Sequence, residues 1–260
     1  MKSNLLNDRH LTLSTSISFV IASMIGTGVF TSLGYQLLDI QSIFPLMMLW
    51  FIGGCVALCG ALTYGELGSA LPRSGGEYHL LSRIVHPAIG FASGIISATV
   101  GFSAPAVLAA MALGSYFTAV FNEFNPNNIA IITILIFHAL HMMSVRYGTI
   151  FHNVSTAVKI ILILIFIIFG FMVDMPQTIS VFPARNDWKL LFSSGFAVSL
   201  VWVNYAYAGW NSAIYLSGEI INPKRNIPWS MLIGTIFVMI LYLLLNYIFL
   251  LTTPIKDMAG

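Results

Sequence analysis

The chain has 260 residues, of which 58% are hydrophobic and only 8% are charged, and its net charge is +2. Soluble domains carry about 25% charged residues, so this composition predicts an integral membrane protein. The small net charge gives no reason to expect a nucleic-acid partner. Long apolar runs such as residues 160–172 lack the alternation of apolar and polar positions that marks a membrane β-barrel. We therefore expect an all-α membrane fold.

Seven apolar stretches are long enough to cross a bilayer, which takes about 17–25 residues in a helix. They are residues 17–38, 45–65, 88–121, 129–145, 154–173, 190–216 and 229–251. The polar start lacks the small-residue cleavage site of a signal peptide. We therefore predict an N-terminal segment at residues 1–14 and a transmembrane domain at residues 15–260. The second stretch repeats small residues every four positions, a pattern that lets another helix approach closely.

Basic residues in the predicted loops indicate the orientation. If the N-terminus is cytoplasmic, most loop lysines and arginines fall on the cytoplasmic side, as the positive-inside rule expects. These residues are Lys2, Arg9, Arg73, Arg83, Arg146, Lys224 and Arg225, whereas Arg185, Lys189 and Lys256 fall on the other side. We predict a multi-pass protein of the cell (inner) membrane with a cytoplasmic N-terminus and an outer C-terminus.

The first span is interrupted near its middle, where residues 23–30 read Ser-Met-Ile-Gly-Thr-Gly-Val-Phe. Glycine costs about 1 kcal/mol relative to alanine inside a helix. One interpretation is a closely packed helix. The other is a helix break whose freed amide groups face a cavity and attract an anion such as a carboxylate. Irregular backbone at membrane depth persists only where it lines a cavity or is buried in protein.

The sixth span has a similar interruption, where residues 205–211 read Tyr-Ala-Tyr-Ala-Gly-Trp-Asn. An aromatic packing seam is one interpretation. Two broken spans in corresponding positions of two halves are, however, typical of an inverted-repeat transporter, and they mark its binding site. Under this scheme residues 15–173 form a first repeat of five helices, and residues 190–260 form the first two helices of a second repeat. The second repeat is thus predicted to be truncated.

Three stretches, in this order, resemble motifs of the amino acid permease family, which belongs to the amino acid–polyamine–organocation superfamily with its leucine-transporter-like fold. They are Ile-Gly-Thr-Gly-Val-Phe at residues 25–30, Tyr-Gly-Glu-Leu-Gly to Pro-Arg-Ser-Gly-Gly-Glu-Tyr at residues 64–78, and Gly-Glu-Ile-Ile-Asn-Pro-Lys-Arg-Asn-Ile-Pro at residues 218–228. The resemblance covers essentially the whole chain. The chain departs from the family in length, because such permeases usually have more spans.

The resemblance implies a binding site for an amino acid zwitterion between the two breaks. Amide groups of the first break would bind the carboxylate, and carbonyl groups at both breaks would accept from the ammonium group. The amide groups are those of Gly26, Thr27 and Gly28. The carbonyl groups are those of Met24, Tyr205 and Ala208. The other residues of the implied site are Ile25, Ala206, Tyr207, Gly209 and Trp210.

Lys159 is a lysine inside the fifth predicted span. A lysine at the centre of a membrane helix costs about 2.5–3.5 kcal/mol and is a functional hypothesis by default, although near a helix end it can also extend to the membrane surface. The resemblance implies that its ammonium group takes the place of the ion of sodium-coupled relatives and braces the first helix. Because burial disfavours the charged form, its protonation offers a way to couple transport to protons.

Three residues are predicted to act as gates. The resemblance places Tyr205 where the family has a bulky gating aromatic, usually phenylalanine or tryptophan. Glu66 and Glu219 lie at predicted cytoplasmic helix ends. They form either an inner gate of ion pairs or solvated loop charges.

Two pairs of residues suggest other kinds of site. His138 and His141 lie three apart on one predicted helical face, and a membrane enzyme with a metal site there is a rival hypothesis. Cys55 and Cys59 lie four apart on an apolar helix, where packing is the simpler interpretation. The chain has no nucleophile–base arrangement, and its glycine-rich turn lacks the Gly-Lys-Ser/Thr ending of a phosphate-binding loop. We therefore predict no enzyme, no metal site and no cofactor.

The sequence predicts a secondary active transporter that moves amino acids by alternating access, without sodium, by proton symport or by exchange. Neither interrupted stretch contains an acidic side chain, so a neutral amino acid is the favoured substrate. The expected partners are this substrate, protons and the lipid bilayer. Two alternatives stay open: a truncated, non-transporting fragment of such a permease, and a polyamine transporter. A seven-helix receptor is opposed by the two interruptions and by the charge bias.

Overall fold

A computed structural model describes residues 9–143, 145–173, 177 and 179–258. The described residues form helices and short turns, without a β-strand. The predicted all-α membrane fold is therefore confirmed. Of the residues used to predict the orientation, Lys2 and the side chain of Arg146 lie outside the described part. The chain divides into two compact units, Met1–Gly76 with Val158–Gly260, and Glu77–Ala157.

The helices are α1 (Leu13–Met24), α2 (Gly28–Asp39), α3 (Ile43–Ala70), α4 (Gly76–Ile84), α5 (Pro87–Ile96), α6 (Ser103–Val120), α7 (Pro126–Met143), α8 (Val145–Gly170), α9 (Asp187–Leu191), α10 (Ser194–Tyr207), α11 (Pro223–Thr252) and α12 (Ile255–Met258). A π-helical turn at Ser97–Gly101 separates α5 from α6, and a 3₁₀ turn at Ser212–Leu216 follows α10.

Among the described residues, four elements are long and apolar enough to cross a membrane: Leu13–Asp39, Ile43–Ala70, Pro87–Val120 and Pro223–Thr252. Pro126–Leu140 and Val154–Gly170 are shorter apolar helices. The sixth predicted span instead contains the 14-residue helix α10, followed by irregular backbone. Large apolar side chains stay exposed on these helices, such as Phe91 at 62% and Val120 at 74%. Such an exposed apolar surface is typical of a membrane protein.

Two predicted loops are partly helical. Residues 146–153 belong to α8, and residues 223–228 form the first turns of α11. The first stretch contains no proline that would end a helix. Pro223 stands at the start of α11, where a missing amide N–H removes no hydrogen bond within the helix.

The first unit is built on α3 and α11, which pack along each other, with α1 against α11 and α10 against α2 and α3. The repeated small residues of α3 explain this close packing. A β-carbon at Gly53 would overlap the side chain of Val203, and one at Gly65 would lie 3.0 Å from the Cα atom of Pro228. The small-residue face of the second predicted span is therefore the face that α10 and α11 approach. This unit combines helices from both predicted repeats.

In the second unit, α6 packs on α7, and α4 packs on α5 through Gly90, whose β-carbon would overlap Ser82. Gly101 and Pro105 predict a kink in the third span. The structure has a π-helical turn there, which ends at Gly101. Pro105 lies in the first turn of α6, where a helix tolerates proline because this turn needs no N–H from it.

Asp187 is a buried carboxylate at the start of α9 and is 4% exposed. It accepts a hydrogen bond from the Ser42 hydroxyl at 2.7 Å and another from the Ala184 amide at 2.7 Å. Asp187→Ala leaves both donors without this acceptor. We therefore expect the free energy of unfolding to fall by about 2 kcal/mol and the melting temperature to fall by about 4–8 °C. Thermal unfolding in detergent measures this, with the exposed neighbour Lys189→Met as the control. A parental melting temperature for Asp187→Ala would contradict the expectation.

Candidate functional site

The predicted break in the first span is confirmed. Helix α1 ends at Met24 and α2 begins at Gly28, with Ile25 in an extended conformation between them. Thr27 precedes α2 without a capping hydrogen bond from its side chain, and the first amide groups of a helix have no acceptor within it. Gly26 is exposed, and a β-carbon there would meet no atom within 4 Å. This break therefore presents the positive end of a half-helix, with open space beside Gly26.

The break in the sixth span is confirmed as well. Helix α10 ends at Tyr207, and Ala208 has an extended ψ of 144°. Gly209 has a φ of 109°, in the region that favours glycine because it has no β-carbon. The chain then turns into the short 3₁₀ segment Ser212–Leu216. The irregular segment thus falls within residues 205–211, where the sequence predicts it.

The two breaks contact each other directly. A β-carbon at Gly28 would lie 2.9 Å from the Cα atom of Ala206. A β-carbon at Gly209 would lie 2.5 Å from the carbonyl oxygen of Ser23. Glycine at both positions is therefore what allows the backbones of the two broken spans to meet. The structure brings the two predicted halves of the binding site together.

Lys159 belongs to α8 and is half-buried, and its side chain reaches the end of α1. Its Nζ atom donates to the carbonyl oxygen of Ile25 at 2.8 Å and to that of Ala22 at 3.4 Å. Carbonyl groups at a helix C-terminus carry partial negative charge, which a cation stabilises. The ammonium group thus braces the broken end of α1. Its role in ion coupling stays a prediction.

A buried aromatic cluster contains Trp50, Tyr207 and Tyr242, each at most 1% exposed. The rings of Trp50 and Tyr207 lie 5.9 Å apart, and the Tyr207 hydroxyl donates to the Trp50 carbonyl at 3.1 Å. The Trp50 indole N–H in turn donates to Gln36 at 3.0 Å. The side chain of Tyr207, a residue of the implied site, therefore belongs to the core behind the breaks.

Tyr242 of α11 lies beside the two breaks, and no sequence motif contains it. Its hydroxyl donates to the Met24 carbonyl oxygen at 2.7 Å and lies 3.3 Å from that of Ala206. It therefore contacts both breaks. The Met24 carbonyl, which the resemblance assigns to the substrate ammonium, accepts from this hydroxyl in the structure, and a carbonyl oxygen has a second lone pair. In the sequence, Tyr242 is marked only as a tyrosine within a long apolar span.

The other implied site residues differ in their surroundings. Tyr205 is 38% exposed, and its carbonyl oxygen accepts from the Ala208 amide at 3.1 Å. Trp210 packs edge-on against Tyr64, with ring centroids 5.1 Å apart. A β-carbon at Gly60 would lie 2.7 Å from the Trp210 ring. The Trp210 side chain thus packs on α3.

Of the two predicted gate carboxylates, Glu219 contacts the N-terminal segment. Its carboxylate lies 3.8 Å from Nε2 of His10, and its carbonyl accepts from the amides of His10 and Leu11 at 2.9 and 3.0 Å. Glu66 is exposed on the last turn of α3 and forms no ion pair with any described residue. The paired carboxylate gate stays a prediction.

The second and third family-like stretches meet in the structure. The Ser217 hydroxyl donates to the Arg73 carbonyl at 3.0 Å, and the Gly218 amide donates to the Ser74 hydroxyl at 3.1 Å. These contacts join the turn after α3 to the segment before α11. The motifs that are distant in the chain are therefore neighbours in the fold.

The rival metal-site hypothesis rests on His138 and His141. Nδ1 of His138 lies 3.0 Å from the Ile134 carbonyl oxygen, and the side chain of His141 is outside the described part. His138 also lines an apolar cavity of about 390 Å³ between α6 and α7. No group of three or more potential metal ligands occurs in the portion of the chain that is described.

Residues 11–260 match the family model described as amino acid permease. The b(0,+)-type amino acid transporter 1 of Mus musculus is 30% identical over 242 residues, which are 90% of this chain and 49% of that protein. The serine/threonine exchanger SteT of Bacillus subtilis is 28% identical over 238 residues, 89% of this chain and 52% of that protein.

The cystine/glutamate transporter of Homo sapiens is 26% identical over 256 residues, 96% of this chain and 51% of that protein. The chain thus spans about half the length of the curated relatives it matches. These relatives are transporters, which agrees with the prediction that the chain is not an enzyme. The chain belongs to the amino acid permease family.

Proposed function

We propose that the protein transports amino acids across a membrane by alternating access, with the substrate bound at the paired helix breaks. The contact of Gly28 with Ala206, and of Gly209 with Ser23, supports this function most directly. Broken helices that meet in the membrane form the binding sites of inverted-repeat transporters. The named functions of the relatives support an amino acid as the ligand.

The two breaks offer complementary partners for a zwitterion. The amide groups at the start of α2 attract the carboxylate, because a helix N-terminus carries positive charge. The carbonyl groups at the ends of α1 and α10 attract the ammonium group. Ala208 is exposed beside the second break, and residues 205–212 contain no charged side chain. A neutral amino acid is therefore the proposed substrate.

Lys159 supports transport without sodium. Its ammonium group already places a positive charge on the Ile25 carbonyl, 2.8 Å away, where a bound cation would otherwise stabilise the end of α1. The proposed mechanism is proton symport or exchange, and one relative is named an exchanger. The excess of basic residues in alternate loops supports a cytoplasmic N-terminus in the cell (inner) membrane.

Counterflow in proteoliposomes tests this function. Vesicles loaded with unlabelled neutral amino acids are expected to accumulate the labelled substrate saturably, without sodium. Labelled cationic and acidic amino acids and putrescine serve as competitors. Uptake that follows a pH gradient indicates symport, and uptake that requires internal substrate indicates exchange. Folded protein that accumulates only putrescine, or no ligand, would contradict the proposal.

A further inference from the structure

We propose that a basic cluster at one end of the first unit binds the phosphate headgroup of an anionic membrane lipid. The cluster consists of Arg9, Arg73, Lys224 and Arg225. It is separate from the proposed amino acid site, because Lys224 and Arg225 lie about 25 Å along α11 from Tyr242, which contacts the breaks. The proposed ligand is a component of the bilayer and not a transported substrate.

The end of α3 and the start of α11 bring three of these residues to the same end of the unit. A β-carbon at Gly68 would lie 3.3 Å from the side chain of Ile227, so the last turn of α3 lies beside the first turns of α11. Arg73 follows α3, and its carbonyl oxygen accepts from the Ser217 hydroxyl at 3.0 Å. This contact holds the turn after α3 at the segment that leads into α11, where the other two basic residues stand.

The N-terminal segment adds Arg9 to the same end. Leu11 pairs with Ile220 through an isolated β-bridge, so Arg9 lies close to the segment that leads into α11. This segment also contains the carboxylate of Glu219, which lies 3.8 Å from Nε2 of His10. The carboxylate of this segment therefore already faces a histidine.

Lys224 and Arg225 lie at the depth of the lipid headgroups. Helix α11 has 30 residues and is about 45 Å long, whereas the hydrocarbon core of a bilayer is about 30 Å thick. Residues 229–252 contain no charged side chain and are long enough to cross this core. Trp229, one turn after Arg225, is 50% exposed, and tryptophan is enriched where the membrane meets water. The charged first turn of α11 therefore projects into the headgroup layer.

The positive charges of this cluster are not neutralised within the described part of the chain. The side chains of Arg73, Lys224 and Arg225 are exposed, and none of them forms an ion pair with a described carboxylate, including that of Glu66 near the end of α3. The first turn of a helix also carries partial positive charge, which disfavours lysine and arginine there. An anion from outside the protein would offset both sources of positive charge.

A lipid phosphate suits this surface better than a soluble anion. Arginine presents a planar set of N–H donors that matches a phosphate group, and lysine adds a point charge. Basic residues beside a membrane helix attract anionic lipids, and each residue strengthens the binding about fivefold. Acyl chains hold a lipid phosphate at headgroup depth, whereas a soluble anion is diluted in water. The proposed ligand is therefore a phospholipid with a net negative charge, such as phosphatidylglycerol.

Native mass spectrometry of the full chain tests this proposal. The protein in detergent is equilibrated with equal amounts of phosphatidylglycerol and phosphatidylcholine that carry the same acyl chains, and the bound lipids are counted by mass. We expect the protein to bind phosphatidylglycerol in preference. The ratio of bound phosphatidylglycerol to bound phosphatidylcholine should fall about fivefold in Lys224→Gln, and about 25-fold in the double variant Lys224→Gln/Arg225→Gln.

The double variant Arg185→Gln/Lys189→Gln is the charge-matched control. It removes two exposed basic residues near α9 instead, and it should keep the parental ratio of bound lipids. A parental ratio in Lys224→Gln/Arg225→Gln would overturn the proposal. Equal binding of the two lipids by the parental protein would also overturn it.

Two measurements on the parental protein cover the case in which the double variant does not fold. Raising ammonium acetate to about 1 M shortens the Debye length to about 3 Å, so the preference for phosphatidylglycerol should largely disappear. A preference that survives this salt would contradict an electrostatic surface. Glycerophosphoglycerol, the same headgroup without acyl chains, should not displace the lipid. Displacement at equal concentration would assign the cluster to soluble phosphates and overturn lipid binding.

Discussion

Gly209→Ala is expected to reduce amino acid counterflow at least about 100-fold. The φ of 109° at this position is costly for any residue with a β-carbon, by about 1–3 kcal/mol. The new β-carbon would also lie 2.5 Å from the carbonyl oxygen of Ser23, so the two breaks must separate. Together these effects reach about 3 kcal/mol, which corresponds to a factor of about 100.

Gly101→Ala is the matched control for this prediction. It makes the same chemical change in the second unit, where the β-carbon would meet its nearest atoms at 3.9 Å, an ordinary contact. Counterflow and thermal stability should both stay close to parental values. Gly209→Ala protein that transports at half the parental rate or more would show that the breaks do not need this contact.

Lys159→Met is expected to lower counterflow about 10- to 100-fold. Methionine keeps a long flexible side chain but removes the ammonium group that donates to the Ile25 carbonyl at 2.8 Å and the Ala22 carbonyl at 3.4 Å. A hydrogen bond from a charged donor contributes about 1.5–3 kcal/mol, which corresponds to this range. The end of α1 then loses the cation that opposes its partial negative charge.

The measurement compares initial rates with and without sodium and with and without a pH gradient. Lys189→Met, which removes an exposed lysine from α9, should transport normally. If sodium partly restores the initial rate of the Lys159→Met protein, the result would support the interpretation that the ammonium group takes the place of an ion. Full activity of Lys159→Met, with an unchanged pH response, would assign Lys159 to packing alone.

Local composition was enough to predict the membrane class, and the pairing of two interrupted spans predicted where two helices break. The apolar runs predict spans because a bilayer requires continuous apolar surface. The glycines around Thr27 and at position 209 predict interruptions only together with the pairing of the two spans and the motif resemblance, because α3 contains glycines and stays a continuous helix. Predicted boundaries were less accurate, and residues 146–153 continue α8 instead of forming a loop. Polar residues alone do not end a helix when no proline or capping partner is present.

The partners of the site residues, in contrast, depend on packing between distant segments. Composition marks Lys159 as unusual, but only the fold shows that its ammonium group lies on the Ile25 carbonyl. The motif resemblance assigns Tyr207 to the site, whereas its side chain packs in the core against Trp50. No local sequence pattern predicts a role for Tyr242. Its contacts with Met24 and Ala206 arise only when α1, α10 and α11 pack together. A periodic sequence pattern indicates which face of a single helix is apolar. It does not indicate which residues of different helices meet, because those contacts depend on the packing of all three helices together.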